Sequence, residues 1–209
     1  MSLSLPPIYP ITDRRLSGLT HAEQVERLAA GGATFIQLRD KTASSGEFYK
    51  EALDAMETAR RLGVRIIIND RVDIALAVGA DGVHLGQDDL PPDKARALLG
   101  DDRIIGFSTH SMKQALQASS EAVDYLAIGP VFATSTKENP DPEVGLGLIG
   151  EIKRQTSKPV VAIGGITLGR ARSVRDAGAD SLAVISDLYA TGDPAGRIRA
   201  FFDAVTSAL

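Results

Sequence analysis

The run IIINDRVDIALAVGADGVHLGQDD, residues 66–89, decides the fold. Three isoleucines end in the polar pair Asn69-Asp70. A segment predicted helical over 71–78 follows and breaks at Gly79. A second short apolar run, 82–85, then ends in Gly86-Gln87-Asp88-Asp89. Apolar strand, polar cluster, helix and apolar strand in succession describe a unit of two parallel strands joined by a crossover helix.

Working outward, the same order recurs eight times. Strands are predicted near 8–12, 34–38, 65–69, 82–85, 103–106, 124–129, 159–163 and 181–185, with helices near 20–31, 46–62, 71–78, 92–99, 111–119, 146–156, 168–177 and 194–207. Val78-Gly79-Ala80-Asp81-Gly82-Val83 is echoed by Ala177-Gly178-Ala179-Asp180-Ser181-Leu182, each reading as helix end, tight turn and buried strand. Thr20 with Glu23 forms a capping box, and Pro91-Pro92 opens a helix where first-turn amides need no internal partner. Eight such units predict one domain over residues 1–209, a single (β/α)8 TIM barrel, with an open doubly wound sheet as the alternative. Pro10 falls inside the first strand, where it cannot donate a ladder hydrogen bond, so it is expected to mark a bulge or the true start of that strand.

Composition narrows the chemistry. Aromatic residues make up 5% of the chain and tryptophan is absent, so the core must be built mainly from Ile, Val, Leu and Ala. A net charge of −4 predicts no general attraction to nucleic acid or acidic membrane, and any anion site must be a local basic cluster. Without cysteine there is no thiolate nucleophile and no thiolate-bound zinc, which suits a cytoplasmic location. No signal peptide is expected at Met1–Pro7, and no apolar run reaches the ~18 residues that span a bilayer.

In parallel α/β folds, ligands bind at the carboxyl ends of strands. Gln37, Arg39 and Lys41, spaced by two on a strand end, share one side and set an amide beside two cations, a pattern that suits a polyphosphate attached to a hydrogen-bonding ring. The alternative is a solvated strand end with Arg39 paired to Asp40. Asn69-Asp70 and Asp88-Asp89 come from neighbouring units, and two carboxylates from adjacent strand ends can share one Mg2+. Asp70 and Asp89 can equally cap the helices that begin near Arg71 and Pro91, and the two roles are compatible. Thr134-Ser135-Thr136-Lys137 offers hydroxyls and a point charge to phosphate, although the acidic, proline-rich stretch 138–143 follows at once. Gly164-Gly165 and Ile185-Ser186 follow the seventh and eighth strands, where barrels frequently build a phosphate site; a tight turn is the plainer reading of the glycines. Gly145-Leu146-Gly147-Leu148-Ile149-Gly150 imitates a dinucleotide fingerprint but lacks a strand directly before it. Arg170, Arg172 and Arg175 read as a solvated helix face. His21 is expected to be exposed, and His84 and His110, at strand ends, to hold supporting rather than acid–base roles.

Taken together these stretches resemble the thiamine-phosphate synthase family: QLRDK at 37–41, INDRVDIALAVGADGVHLGQDD at 68–89, GFSTH at 106–110, GPVFATSTK at 129–137, VAIGGI at 161–166 and AVIS at 183–186. The resemblance implies a transferase that joins 4-amino-5-hydroxymethyl-2-methylpyrimidine diphosphate to a thiazole phosphate with release of pyrophosphate. Carried over by position, Gln37, Leu38, Arg39, Asp40, Lys41, Asn69, Ser108 and Lys137 would hold the pyrimidine diphosphate, with Arg39, Lys41, Ser108 and Lys137 acting in catalysis. Asp70 and Asp89 would ligate Mg2+, and Thr134, Ser135, Thr136, Gly165, Ile185 and Ser186 would hold the thiazole phosphate. The family's mechanism is dissociative: pyrophosphate leaves, and the thiazole nitrogen captures the pyrimidine-stabilised cation. The implied partners are small phosphorylated molecules, and a homo-oligomer is compatible with this reading. Two rivals are a thiazole tautomerase on the same barrel and a non-catalytic protein that binds a phosphorylated ligand.

Overall fold

Seven of the strand pairings are continuous parallel ladders, giving the order β1-β8-β7-β6-β5-β4-β3-β2. The two outer members meet through an isolated bridge between Ile11 and Gln37, which nearly closes the sheet into a barrel. The computed structural model describes residues 3–134, 136 and 141–206. Its elements run β1 (Ile8–Pro10), α1 (Arg14–Ser17), α2 (His21–Ala30), β2 (Phe35–Leu38), α3 (Ser45–Leu62), β3 (Arg65–Asn69), α4 (Val72–Val78), β4 (Gly82–Leu85), α5 (Pro92–Leu99), β5 (Ile104–Thr109), α6 (Met112–Ser119), β6 (Tyr125–Ile128), α7 (Gly145–Lys153), β7 (Val160–Ile163), α8 (Leu168–Asp176), β8 (Ser181–Val184), a single 3-10 turn (Ser186–Leu188) and α9 (Pro194–Thr206).

Alternation along each strand sorts side chains into two layers. Ile66 and Ile68 face the helices, whereas Ile67 joins Tyr9, Phe35, Tyr125, Val161 and Ala183 inside the barrel. The outer layer is the larger and is mostly aliphatic, as the composition requires. Thr20 and Glu23 form the expected capping box on α2, and Pro92 opens α5.

Pro10 is neither a bulge nor the start of β1; it is the last residue of that strand, opposite Val184. Ile11 donates its amide to Val184, and Thr12 donates to Gln37. Successive amides thus face opposite neighbours, and the nitrogen of Pro10 lies on the β2 side. There the strands barely pair, so the missing donor costs the ladder nothing. The short α1 escapes periodicity because it has only four residues; it is specified by Asp13, whose carboxylate accepts from the amides of Arg15 and Leu16.

The echo seen in the sequence is a repeated clamp at the amino end of the barrel, and it has a third copy. Asp81, Asp124 and Asp180 each stand one residue before an even-numbered strand. Their carboxylates accept from the amides of Ile66, Ile105 and Val160, each at 2.7 Å. Their own amides donate to the carbonyls of the same three residues. Arg96 and Lys153 add ion pairs to Asp124 and Asp180. Losing such a carboxylate strands a buried amide at a cost of about 1–3 kcal/mol. Asp124→Ala and Asp180→Ala are each expected to lower the urea midpoint accordingly; unchanged midpoints would show that the clamps do not bear on stability.

Candidate active site

All eight strands deliver residues to one cavity of about 860 Å3. The loop after β2 supplies Arg39, Asp40 and Lys41 beyond Gln37, and β3 ends in Asn69 and Asp70. Asp89 follows β4, Ser108 lies on β5, and Thr134 and Thr136 follow β6. Gly165, Ile185 and Ser186 complete the rim after β7 and β8. Leu38 does not line the cavity: alternation turns its side chain into the outer core, where it is fully buried. Ser135 and Lys137 lie outside the described residues.

The cations at the mouth are held by carboxylates. Arg39 pairs with Asp13 at 3.0 Å, not with the adjacent Asp40. Asp40 instead accepts from the amides of Thr42 and Ala43 and pairs with Arg14 at 3.4 Å, so it shapes the loop that carries Lys41. Burial alone would raise its pKa, but these amide hydrogen bonds outweigh burial and hold it below the usual carboxylate range. Lys41 meets Asp70 at 2.5 Å.

Neither acidic candidate caps a helix. Asp70 stands at φ 63°, donates its amide to the carbonyl of His84, and precedes a helix whose cap residue, Arg71, makes no side-chain cap bond. Asp89 accepts from the amide of Gly86 at 2.7 Å, closing the loop after β4. The Asp70 and Asp89 carboxylates lie close enough for each to feel the other. Burial first, and then the charge of Asp70, push Asp89 above its ordinary pKa. Two crowded carboxylates are a hard-oxygen donor set whose repulsion a divalent cation relieves. Among the described residues no group of three or more metal-binding side chains forms, so such an ion would take its other ligands from water or phosphate oxygens. The Nδ2 of Asn69 is buried beside this pair without a hydrogen-bond partner, a donor suited to an anionic oxygen.

The far side of the cavity is built from backbone. Gly164 and Gly165 adopt φ 98° and 61°, and a Cβ on either would lie 2.5 Å or less from Pro130 or Ala133. The tight turn is therefore real, and it presses the loop after β6 against the end of β7, where Val131 and Phe132 donate to Ile163 and Gly164. Arg170 is not simply solvated: it donates to the Gly165 carbonyl and lies over the Phe132 ring at 4.4 Å. The fingerprint at 145–150 forms the first turns of α7, well past the end of β6.

The sequence reading missed a polar chain through the barrel interior. Gln37 Nε2 donates to the Tyr9 hydroxyl at 3.0 Å, which lies 3.0 Å from that of Tyr125. The Tyr125 hydroxyl is 2.9 Å from His84 Nδ1, and His84 Nε2 is 2.9 Å from Ser108 Oγ. Gly106 makes room for it, since a Cβ there would lie 2.0 Å from the Tyr125 ring. The spacing by two of Tyr9 from Ile11, and of Tyr125 from Ala127, is the signal that could have placed both tyrosines inside. His21 is buried rather than exposed: it packs against Phe48, and its Nδ1 is 2.7 Å from Thr12 Oγ1.

A (β/α)8 barrel that gathers cations, paired carboxylates and a glycine turn at its carboxyl end is an enzyme of the class that handles small phosphorylated molecules. The chain belongs to the thiamine monophosphate synthase family, whose model matches residues 8–188. It is 46% identical over 187 residues to the thiamine-phosphate synthase of Chloroflexus aurantiacus, covering 89% of this chain and 86% of that protein. It is also 46% identical to that of Koribacter versatilis, covering 98% of each. The thiamine phosphate pyrophosphorylase structure from Pyrococcus furiosus superposes with a TM-score of 0.85 at 38% identity, over 94% of both chains. The chain is thus a transferase of thiamine biosynthesis, and among its described residues no helix is long and apolar enough to cross a membrane.

Burial holds both His21 and His84 at a pKa of about 4. Unfolded, each titrates near 6.5, so below that value the unfolded chain binds more protons and stability falls with pH until about 4. Between pH 7 and 5 the loss amounts to about 2 kcal/mol per histidine. Urea unfolding at the two pH values is expected to show it, with His21→Asn and His84→Asn each flattening the slope. A flat wild-type profile would contradict neutral burial.

Proposed function

We propose that the chain condenses 4-amino-5-hydroxymethyl-2-methylpyrimidine diphosphate with a thiazole phosphate, either hydroxyethylthiazole phosphate or its carboxylated form, to give thiamine phosphate and pyrophosphate. The observation that carries this reading is the convergence of Asp70, Asp89, Lys41 and Arg39 on one cavity. Asp70 and Asp89 would hold Mg2+, which supplies charge neutralisation to a departing diphosphate.

Bond breaking leads and bond making follows, so no side-chain nucleophile is needed. The chain's work is to hold charge where it develops. Arg39, fixed by Asp13, offers a planar fork to diphosphate oxygens, while Lys41 is a half-exposed point charge free to leave Asp70 for the ligand. Asn69 and Ser108 add hydrogen bonds, Gln37 orients the pyrimidine, and Lys137 contributes a further cation to the diphosphate. Leu38, packed in the outer core, takes no direct part, and Asp40 acts through the loop it organises. Thr134, Ser135, Thr136, Gly165, Ile185 and Ser186 hold the thiazole phosphate, which brings the thiazole nitrogen to the cation.

Mixing both substrates with and without Mg2+ is expected to yield thiamine phosphate only in its presence. Removal of one group that stabilises developing charge typically costs about 3 kcal/mol, roughly a hundredfold in rate. Asp70→Ala and Lys137→Ala should each lower turnover by at least that order in a steady-state assay. Near-normal turnover in both variants would overturn the assignment of roles.

A further inference from the structure

We propose that the hydrogen-bond chain Gln37–Tyr9–Tyr125–His84–Ser108 is a one-way relay, set by the Gln37 amide, that makes Ser108 a donor into the cavity. The inference rests on the reading of Gln37 and Ser108 as ligand contacts, but its direction is readable without any ligand.

The interior links of the chain have one hydrogen each. A phenol has a single O–H, and a neutral imidazole has one N–H and one bare nitrogen. Both phenols are sealed from water, at 1% exposure or less, so no solvent molecule supplies an alternative partner. Gln37 Nε2 gives its hydrogen to the Tyr9 oxygen. Tyr9 must then give its hydrogen to Tyr125, and Tyr125 to His84 Nδ1. With Nδ1 accepting, the imidazole proton sits on Nε2 and is donated to Ser108 Oγ. The hydrogen of Ser108 is left for the cavity, which this residue lines.

The reverse order is the single alternative that satisfies the same four contacts and leaves neither buried phenolic hydrogen without an acceptor. It needs the Gln37 carbonyl toward Tyr9, the imidazole proton on Nδ1, and Ser108 donating to the histidine. The two ends therefore cannot be chosen independently. An amide that turns Nε2 toward Tyr9 turns its carbonyl toward the ligand. The cavity then favours a ligand edge with an N–H donor at Gln37 and an oxygen acceptor at Ser108, and reversal would exchange both preferences.

Nitrogen-15 NMR of histidine-labelled protein, recorded without substrate at pH 8, reads the tautomer directly. The wild type is expected to carry the His84 proton on Nε2. Gln37→Glu replaces the amide donor with a carboxylate that only accepts, so the proton is expected to move to Nδ1, three links away. Tyr125→Phe removes the donor to Nδ1 and is expected to leave a mixture of tautomers. A tautomer unchanged in both variants would overturn the relay, as would a wild type protonated on Nδ1. Tyr125 does not line the cavity. Loss of one oriented donor is nonetheless expected to lower kcat about tenfold in Tyr125→Phe, with KM changed less than about threefold. Tautomer shifts without a change in kcat would uphold the relay and overturn Ser108 as a ligand contact.

Discussion

Closure of the sheet between β1 and β2 is the joint on which this molecule depends. A parallel sheet of eight strands loses its edges only if the first and second strands meet. Here they meet at one bridge, where the Thr12 amide donates to the Gln37 carbonyl at 2.9 Å and the Thr12 hydroxyl donates to it at 3.2 Å. The side chain of the same glutamine enters the interior and begins the polar chain. One residue thus seals the barrel with its backbone and furnishes the cavity with its amide. Pro10, placed where β1 and β2 scarcely pair, keeps that junction short.

Charge at the cavity mouth is arranged in pairs, which reconciles a negative chain with an anionic ligand class. Arg39 is anchored by Asp13 and the loop beneath it by Asp40, so these carboxylates are structural rather than competing ligands. Asp70 and Asp89 differ from them because they crowd each other. Their mutual repulsion has no cure within a two-carboxylate pair, apart from the ammonium of Lys41 on one side. In the proposed reaction this is where Mg2+ would take over from the ammonium of Lys41.

The regular parts of the fold were legible because alternation and helical spacing recur eight times with little variation. Every predicted strand and helix has its counterpart, mostly displaced by only one or two residues. What escaped was set by contacts distant in sequence. His21 looked exposed from its place in a first helical turn, but Phe48 on the next helix covers it. The alternative pairing of Arg39 with its neighbour Asp40 is not realised, because the loop folds Arg39 onto Asp13. Capping by Asp70, one of the two readings open to it, is not realised, because a left-handed backbone turns it away from the following helix. Tyr9 and Tyr125 sit 116 residues apart, and nothing local announces that their hydroxyls meet.

The three aspartate clamps bear on the order in which the barrel is assembled. Each ties strands whose clamped residues are only 15, 19 or 20 positions apart, so its loop-closure entropy is small. The pairing of β1 with β8 joins residues as distant as Ile8 and Leu182. Each clamp can therefore close on its own two strands without waiting for the rest of the sheet. The cavity, lined from all eight strands, is complete only when the first strand also lies beside the last.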